Sequence, residues 1–247
     1  MDRIPKQHVA QGVGLAGKRN TAMKVMTHTG VLGGRFDPIH LGHLTIAAVA
    51  QQLLRLDQVL LLPSRLAPHR TTQARGSDRL AMVKLAANGQ PHLAPSNLEL
   101  KTPGPSYTAA TLRQLREQGH RPTRLFFIIG ADAFAEIESW HDYPNILDAA
   151  HFVVISRPGH QAAALVEALP TLRDRMSLAS RENRRRDLKT GTTPKILLVD
   201  AVTPAVSSTD IRNRVVLGKS LDGLVPTSVA RYIERHHLYE TNHKQRS

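Results

Sequence analysis

The sequence predicts an α/β fold with a doubly wound parallel sheet, helices on both faces of the sheet and a small helical C-terminal portion. Short, almost wholly apolar runs alternate along the chain with segments whose apolar residues recur at helical spacing. Strands that are apolar on both sides are typical of parallel sheets covered on both faces. The first apolar run is also followed by a Gly-Gly turn and then by a helical segment, which is the order of a βαβ unit.

The first half of the chain supplies the βαβ unit and two further helices. A strand from Thr29 to Leu32, a helix from Leu41 to Leu54 and a strand from Gln58 to Pro63 form the unit. The two helices are predicted near Ser77 to Ala87 and near Thr108 to Gln118.

The second half continues the alternation. A strand from Leu125 to Ile129 ends at Gly130 and leads into a short helix. The remaining predicted elements are the strands Phe152 to Ile155 and Lys195 to Val199, and the helices near Ser208 to Leu217 and Thr227 to His236.

We expect a single domain over residues 25–240. Residues 1–24 are polar and aperiodic, so they are interpreted as a disordered extension, and residues 241–247 as a flexible tail. Met23 or Met26 is an alternative start that would leave the first strand intact. A chain starting at Met23 is therefore expected to fold and to keep its activity.

The net charge of +13 is concentrated in three segments. Residues 1–24 carry five Lys or Arg against one Asp, residues 173–195 carry eight against three acidic residues, and residues 241–247 carry two against none. The second segment is interpreted as a basic surface insertion at about 173–194. The rest of the chain is nearly neutral, which suits a local anion site better than a continuous face for nucleic acid. We therefore do not expect a nucleic-acid partner.

Composition excludes several classes of site. The chain has no cysteine, so disulfides, thiolate nucleophiles and cysteine-based zinc sites are excluded. No run approaches the roughly 18 apolar residues of a membrane span, and no signal peptide is recognisable. We expect a cytoplasmic protein without a membrane partner, and the sequence leaves the oligomeric state open, a homo-oligomer included.

The most specific feature is the run GGRFDPIHLGH from Gly33 to His43, between the first strand and the first helix. Ligands of open parallel sheets bind beyond the carboxyl ends of the strands, where a helix N-terminus offers N–H groups and a positive dipole to an anion. Gly33 and Gly34 allow a nucleotide to approach the backbone. His40 and His43 project from one face of the helix at its start. The run therefore predicts a site for a phosphate-bearing nucleotide.

Two further residues of this run have an expected role. Gly42 is a poor helix former, and we explain it by the close approach of a base or sugar. Asp37 is expected to fix the loop rather than to contact substrate.

This run resembles the GGxFDPxHxGH signature of the nucleotidyltransferase superfamily, a Rossmann-like group. The stretch from about residue 29 to 239 resembles the nicotinate-nucleotide adenylyltransferase family within it, because several separated motifs of that family have counterparts here in the same order. They are Ala67-Pro68-His69-Arg70, Ser106-Tyr107-Thr108, Ile129-Gly130-Ala131-Asp132, Trp140, Ser156-Arg157-Pro158-Gly159, Val206-Ser207-Ser208-Thr209-Asp210-Ile211-Arg212 and His237-Leu238-Tyr239.

Three positions depart from the pattern of that family. Arg35 stands where the family mostly has Ser or Thr, so a small hydroxyl is missing beside the phosphates. Ala67 replaces a common proline, and His141 stands where the family often has an aromatic residue. The departure at His141 affects one wall of the substrate pocket.

The resemblance implies transfer of the adenylyl group of ATP to nicotinate mononucleotide, giving nicotinate adenine dinucleotide and pyrophosphate, with Mg²⁺ accompanying ATP. His40 and His43 are the implied catalytic residues. The implied ATP-binding residues are Gly33, Gly34, Phe36, His40, Gly42, His43, Arg157, Ser207, Ser208, Thr209 and Arg212. The implied residues for nicotinate mononucleotide are Arg70, Tyr107, Thr108, Asp132 and Trp140.

Two alternatives stay open at this point. Another adenylyl- or cytidylyltransferase of the superfamily would share the first motif, although such enzymes usually lack the combination of Tyr107-Thr108, Asp132 and Trp140. A nucleotide-binding regulator that has lost catalysis is the other alternative, and the presence of both histidines argues against it. A pyrophosphate-release assay distinguishes the three possibilities.

Overall fold

The computed structural model describes residues 28–66, 72–180 and 193–240. Within these residues seven strands form one sheet in the order β3-β2-β1-β4-β5-β7-β6, and every neighbouring pair is parallel. The strands are β1 (Thr29–Gly34), β2 (Gln58–Pro63), β3 (Leu93–Pro95), β4 (Leu125–Gly130), β5 (His151–Ile155), β6 (Met176–Leu178) and β7 (Ile196–Val199).

Helices surround this sheet and connect its strands. They are α1 (Leu41–Leu54), α2 (Gly76–Ala87), α3 (Leu98–Lys101), α4 (Thr108–Glu117), α5 (Ala131–Phe134), α6 (Leu165–Ala168), α7 (Ser208–Val216) and α8 (Thr227–Arg235). Short 3₁₀ segments lie at Pro122–Arg124, Ile137–Ser139, Asn145–Asp148, Ala162–Ala164 and Pro170–Arg175. Among the described residues no helix combines the length and the apolar character needed to cross a membrane.

The predicted α/β fold is confirmed, and two elements, α1 and β2, begin and end at the predicted residues. Part of the segment interpreted as a surface insertion, 173–194, has regular structure. Residues Met176–Leu178 form the edge strand β6, which pairs in parallel with β7. The rest of the predicted insertion, residues 181–192, lies outside the described residues, as do the predicted extension 1–24 and tail 241–247.

The two faces of the sheet carry separate apolar cores. Adjacent residues of β1 divide between them, because side chains alternate along a strand. Leu32 packs in a core with α1, α2, α7 and α8, whereas Val31 packs on the opposite face with α4 and the segment that follows β4. Both cores consist mainly of fully buried aliphatic and phenylalanine side chains.

The order of the strands places a crevice beside β1 and β4. From β1 the chain moves outward through β2 to β3, and it then returns to β4 on the other side of β1. The loops that leave β1 and β4 therefore diverge to opposite sides of the sheet. Such a switch point is where open α/β sheets bind their ligands, at the carboxyl ends of the strands.

Candidate functional site

The loop that leaves β1 is buried and rigidly held. Phe36 adopts a left-handed backbone conformation with φ of 47° and its side chain is 1% exposed. The carboxylate of Asp37, also 1% exposed, accepts hydrogen bonds from the backbone N–H groups of Gln73 (2.7 Å) and Ala74 (3.0 Å). Asp37 thus fixes the loop, as its position in the sequence predicts.

A pair of imidazole rings lies where this loop becomes α1. His40 is the N-cap residue of α1, and the His40 and His43 rings are stacked at 3.7 Å. The edge of Phe36 packs against His43 at 4.9 Å. The backbone N–H of His40 donates to Nδ1 of His43 at 3.3 Å. Because Nδ1 accepts this bond, a neutral His43 carries its proton on Nε2, where it can act as a donor.

Both histidines are held in the neutral form. Burial lowers the pKa of His40 to about 4, and the charge of Arg157 adds to the effect. Burial also lowers the pKa of His43 well below its ordinary value, with further contributions from His40, Arg157 and Arg35. Desolvation disfavours the charged form of an imidazole, and neighbouring cations act in the same direction. At neutral pH the pair therefore offers N–H donors rather than positive charge.

A second helix N-terminus meets the same loop. Ser207 caps α7 by accepting a hydrogen bond from the backbone N–H of Asp210 at 3.0 Å. The hydroxyl of Ser208 donates to the carbonyl of Pro38 at 3.0 Å, and Arg212 donates to the carbonyl of Asp37 at 2.8 Å. The starts of α1 and α7 consequently converge, and their dipoles both favour an anion here.

The convergence of the two helices explains Gly42. A Cβ atom at this position would lie 3.0 Å from the ring of His40 and 3.6 Å from the carbonyl oxygen of Val206, which precedes α7. A larger residue at this position would therefore press against the ring of His40. This packing gives a reason for Gly42 within the protein, beside the expected approach of a base or sugar, which stays a prediction.

The loop that leaves β5 brings an arginine across the end of β4. A Cβ atom at Gly130 would lie 2.6 Å from Cδ of Arg157 and would also touch the carboxylate of Asp132. The side chain of Arg157 thus crosses over Gly130, and its charge acts on the histidine pair. Backbone hydrogen bonds between Arg157 and His160, 2.9 Å and 2.8 Å, close the turn that carries this arginine.

The residue before Arg157 anchors that turn to the sheet. Ser156 donates to the carboxylate of Asp200 at 2.6 Å, and its hydroxyl oxygen accepts from the backbone N–H of Ala162 at 2.9 Å. These bonds fix the arginine-bearing turn between β5 and the end of β7.

Aromatic side chains lie on the side of β1 opposite the loop that carries the histidine pair. Tyr107, the N-cap of α4, is stacked on His141 at 4.5 Å. Trp140 packs edge-on against Phe127 at 6.2 Å. His141 therefore takes part in an aromatic stack although it departs from the family pattern.

The end of β1 lies beside a buried carboxyl group and an aromatic ring. A Cβ atom at Gly33 would lie 3.9 Å from Phe127 and 3.9 Å from a carboxyl oxygen of Glu99. Glu99 is largely buried and accepts a hydrogen bond from Thr111 in the first turns of α4 at 2.8 Å. Burial raises the pKa of this carboxyl, and hydrogen bonds from Thr111 and Ser106 partly offset the shift. The end of β1 at Gly33 therefore lies beside Phe127 and the buried Glu99.

The contacts above place the predicted residues in two groups on either side of β1, one around the histidine pair and one around Tyr107 and Trp140. The exception is Arg70, which lies outside the described residues. The sequence analysis missed Arg79, whose side chain is 1% exposed and donates to the carbonyl of Arg35 at 2.6 Å. The signal was available, because Arg79 lies at helical spacing with the buried Met82, Val83 and Ala86 of α2. A charged residue on an apolar helix face indicates a specific buried partner.

Comparison with known proteins gives a consistent family. The family model described as cytidylyltransferase-like matches residues 31–214. A relative from Roseiflexus sp. (strain RS-1), named "Probable nicotinate-nucleotide adenylyltransferase", is 39% identical over 214 residues, covering 85% of this chain and 96% of the relative. A relative of the same name from Pseudomonas entomophila is 40% identical over 214 residues, with 86% and 95% covered.

A solved structure shares the fold at lower identity. The nicotinic acid mononucleotide adenylyltransferase of Plasmodium falciparum, complexed with NaAD, aligns with a TM-score of 0.65 and 15% identity. The alignment covers 85% of this chain and 96% of that chain. At this identity the comparison supports the architecture alone.

Proposed function

The chain belongs to the cytidylyltransferase-like family and, within it, to the nicotinate-nucleotide adenylyltransferases, and from this premise we propose how its site performs the reaction. It transfers the adenylyl group of ATP to nicotinate mononucleotide. An oxygen of the mononucleotide phosphate bonds to the α-phosphorus of ATP, the bond from that phosphorus to the β-phosphate oxygen breaks, and pyrophosphate leaves.

The histidine pair is the observation that carries the proposed mechanism. The attacking phosphate monoester has a second pKa near 6 and is largely dianionic at neutral pH, so no protein base is needed. Catalysis then depends on positioning and on stabilising the charge that develops around the α-phosphorus. His40 and His43, neutral and fixed at the start of α1, are suited to donate hydrogen bonds to the α-phosphate.

The start of α7 and Arg157 are proposed to serve the remaining phosphates and the nucleoside of ATP. The first N–H groups of a helix lack intrahelical partners, so α7 offers donors beside the loop after β1. Ser207, Ser208 and Thr209 hold this helix start in place, and Arg212 supplies a cation. Arg157 is proposed to lie beside the adenine or its ribose, with Gly33, Gly34 and Phe36 forming the floor.

The mononucleotide is proposed to occupy the aromatic side of β1. Trp140 would stack on the pyridine ring, and Asp132, exposed at the end of β4, would hold a ribose hydroxyl. The start of α4 at Tyr107 and Thr108 presents N–H groups that suit the nicotinate carboxylate. Arg70 remains a proposed phosphate contact.

Magnesium is proposed to enter with ATP. Among the described residues no group of three His, Cys, Asp or Glu side chains is arranged to hold a metal ion. Asp37, the carboxylate nearest the histidine pair in sequence, is buried and already accepts three hydrogen bonds from the protein. The ion would therefore be held by phosphate oxygens and water, the usual arrangement for Mg²⁺ with nucleotides.

A pyrophosphate-release assay tests the proposed function. The full chain is incubated with ATP, Mg²⁺ and, in parallel, nicotinate mononucleotide, nicotinamide mononucleotide or phosphopantetheine. We expect release with nicotinate mononucleotide, and much less with the other two acceptors. Release with phosphopantetheine alone would assign another transferase of the superfamily, and ATP binding without release from any acceptor would indicate a regulator.

A further inference from the structure

The C-terminal segment after α8 reaches the loop that carries the catalytic histidines. The hydroxyl of Tyr239 donates to the carboxylate of Asp37 at 3.0 Å, across 202 positions of the sequence. Asp37 is the same carboxylate that accepts the N–H groups of Gln73 and Ala74. We call this carboxylate and its three donors the Asp37 clamp. It joins the loop after β1, the segment that leads into α2 and the end of the described chain.

The C-terminal segment that makes this contact has an unusual backbone conformation. Both His237 and Tyr239 have left-handed backbone conformations, with φ of 50° and 69°. Residues other than glycine adopt such angles only where the surrounding structure holds them. Burial and the neighbouring Asp37 raise the pKa of Tyr239, so its hydroxyl keeps the proton that it donates. The C-terminal segment therefore presents a hydroxyl that stays protonated and donates to the carboxylate of Asp37.

Asp37 lies three residues before His40, and two arginines hold the backbone around it. Arg212 at the start of α7 donates to the carbonyl of Asp37 at 2.8 Å. The buried guanidinium of Arg79 donates to the carbonyls of Arg35 at 2.6 Å and Ala74 at 3.3 Å. These bonds hold the backbone of the loop, whereas Tyr239 holds its one buried carboxylate. Loss of the Tyr239 hydroxyl would leave that carboxylate with fewer donors in a desolvated place, which favours movement of the loop.

We propose that Tyr239 is a positioning residue for adenylyl transfer, acting through the Asp37 clamp on the placement of His40 and His43. The inference rests on the proposed function of the histidine pair. Small displacements of catalytic groups reduce turnover strongly even when the change lies far from the reacting atoms. Tyr239 itself contacts Asp37 and is not assigned to substrate.

The chain offers a matched control for this proposal. Tyr232 in α8 also donates to a carboxylate at 3.0 Å, but its partner is Asp78 in α2 rather than Asp37. Tyr232→Phe and Tyr239→Phe each remove one hydroxyl from one tyrosine–aspartate hydrogen bond. Their comparison therefore separates an effect on the catalytic loop from the general cost of losing such a bond in the C-terminal part.

The experiment measures kcat, KM and thermal stability for both variants of the full chain. We expect Tyr239→Phe to lower kcat by about 10-fold or more while KM for ATP changes less than about threefold, since the loss is one of positioning. Tyr232→Phe should keep kcat within about twofold of the wild type. Wild-type kcat in Tyr239→Phe, or an equal loss in both variants, would overturn the proposal.

A second readout does not depend on the reaction. Amide hydrogen exchange of Gln73 and Ala74 reports on the clamp directly, because both N–H groups donate to Asp37. We expect faster exchange at these two amides in Tyr239→Phe and unchanged exchange in Tyr232→Phe. Unchanged exchange in Tyr239→Phe would refute the clamp, whereas faster exchange in a chain without transferase activity would refute the proposed function alone.

Discussion

His40 and His43 face each other at 3.7 Å, and their protonation decides what they can offer a phosphate. Two cationic rings at this distance would repel each other, and burial lowers the pKa of both. The backbone N–H of His40 occupies Nδ1 of His43, so the Nε2–H of His43 is the group left to donate. The pair is thus suited to a directed hydrogen bond, which gains strength in a site shielded from water.

Replacement of His43 tests this role. His43→Ala is expected to lower kcat at least about 100-fold, the scale for loss of one preorganised donor, with a much smaller change in ATP affinity. His43→Gln, whose amide N–H₂ can occupy the place of Nε2–H, should retain more activity than His43→Asn. His40→Ala should resemble His43→Ala, although effects within such a unit are not additive.

Turnover and calorimetric ATP binding are the measurements for these variants. His92→Ala removes an exposed histidine outside the crevice and serves as the control. Equal losses in turnover and in ATP affinity for His43→Ala would mean that His43 serves binding of the ground state instead.

At the scale of elements, three helix starts are proposed to supply donors in this site besides the side chains. The start of α1 and that of α7 face the loop after β1, and that of α4 lies among the aromatic residues. A helix start offers only donors, whereas a carboxamide needs an acceptor for its NH₂ group. If the pyridine substituent lies at the α4 start, as proposed, we expect nicotinate to be preferred over nicotinamide, since an amide there would leave donors unsatisfied at roughly 1–3 kcal/mol.

Thr108→Pro tests this preference because proline deletes one N–H at the first position of α4. The substitution is sterically compatible, since proline is common at this position and Tyr107 already has ψ of 129°, the region required before proline. We expect the wild type to prefer the acid at least about tenfold in kcat/KM, and Thr108→Pro to narrow that ratio. Thr108→Ala keeps the N–H and should keep the ratio. The same ratio of acid to amide kcat/KM in both variants would show that the start of α4 does not determine this preference.

At the scale of the whole molecule, the elements that the sequence predicted are those with a strong pattern. β4 is a continuous apolar run of six residues, α1 repeats apolar residues at helical spacing, and the Gly-Gly turn marks the site between β1 and α1. The edge strands β3 and β6 have three residues each, too few for a period to be recognised. The sheet stabilises them through pairing with β2 and β7, which a local pattern does not contain.

The site was predictable in its motifs and not in its long-range contacts. Gly33, His40 and His43 lie close together in sequence and in space, so their spacing already indicated a shared role. The hydrogen bond from Tyr239 to Asp37 joins two motifs that are far apart in the sequence. Neither residue type nor spacing indicates such a pairing, because it depends on how α8 packs against α2.

Buried histidines also make the stability of the whole molecule depend on pH. The pKa of His40 and that of His151, at the opposite end of the sheet, are each lowered to about 4, mainly by burial. Their unfolded value is near 6.5, so the unfolded chain binds more protons between these two values and stability falls as the pH falls. Glu99 acts in the opposite direction, because its raised pKa favours the folded state at low pH.

His151→Asn isolates one of these contributions without touching the crevice. The ring of His151 is 2% exposed, and its Nδ1 accepts from the backbone N–H of Lys195 at 3.1 Å, a bond that an asparagine oxygen can replace. Each such histidine is expected to cost on the order of 2 kcal/mol of unfolding free energy between pH 7 and pH 5. Urea denaturation at both pH values should therefore show a smaller loss for His151→Asn than for the wild type, and a wild-type loss for the exposed control His92→Asn. Equal losses in all three proteins would show that His151 is not held neutral by its burial in the sheet.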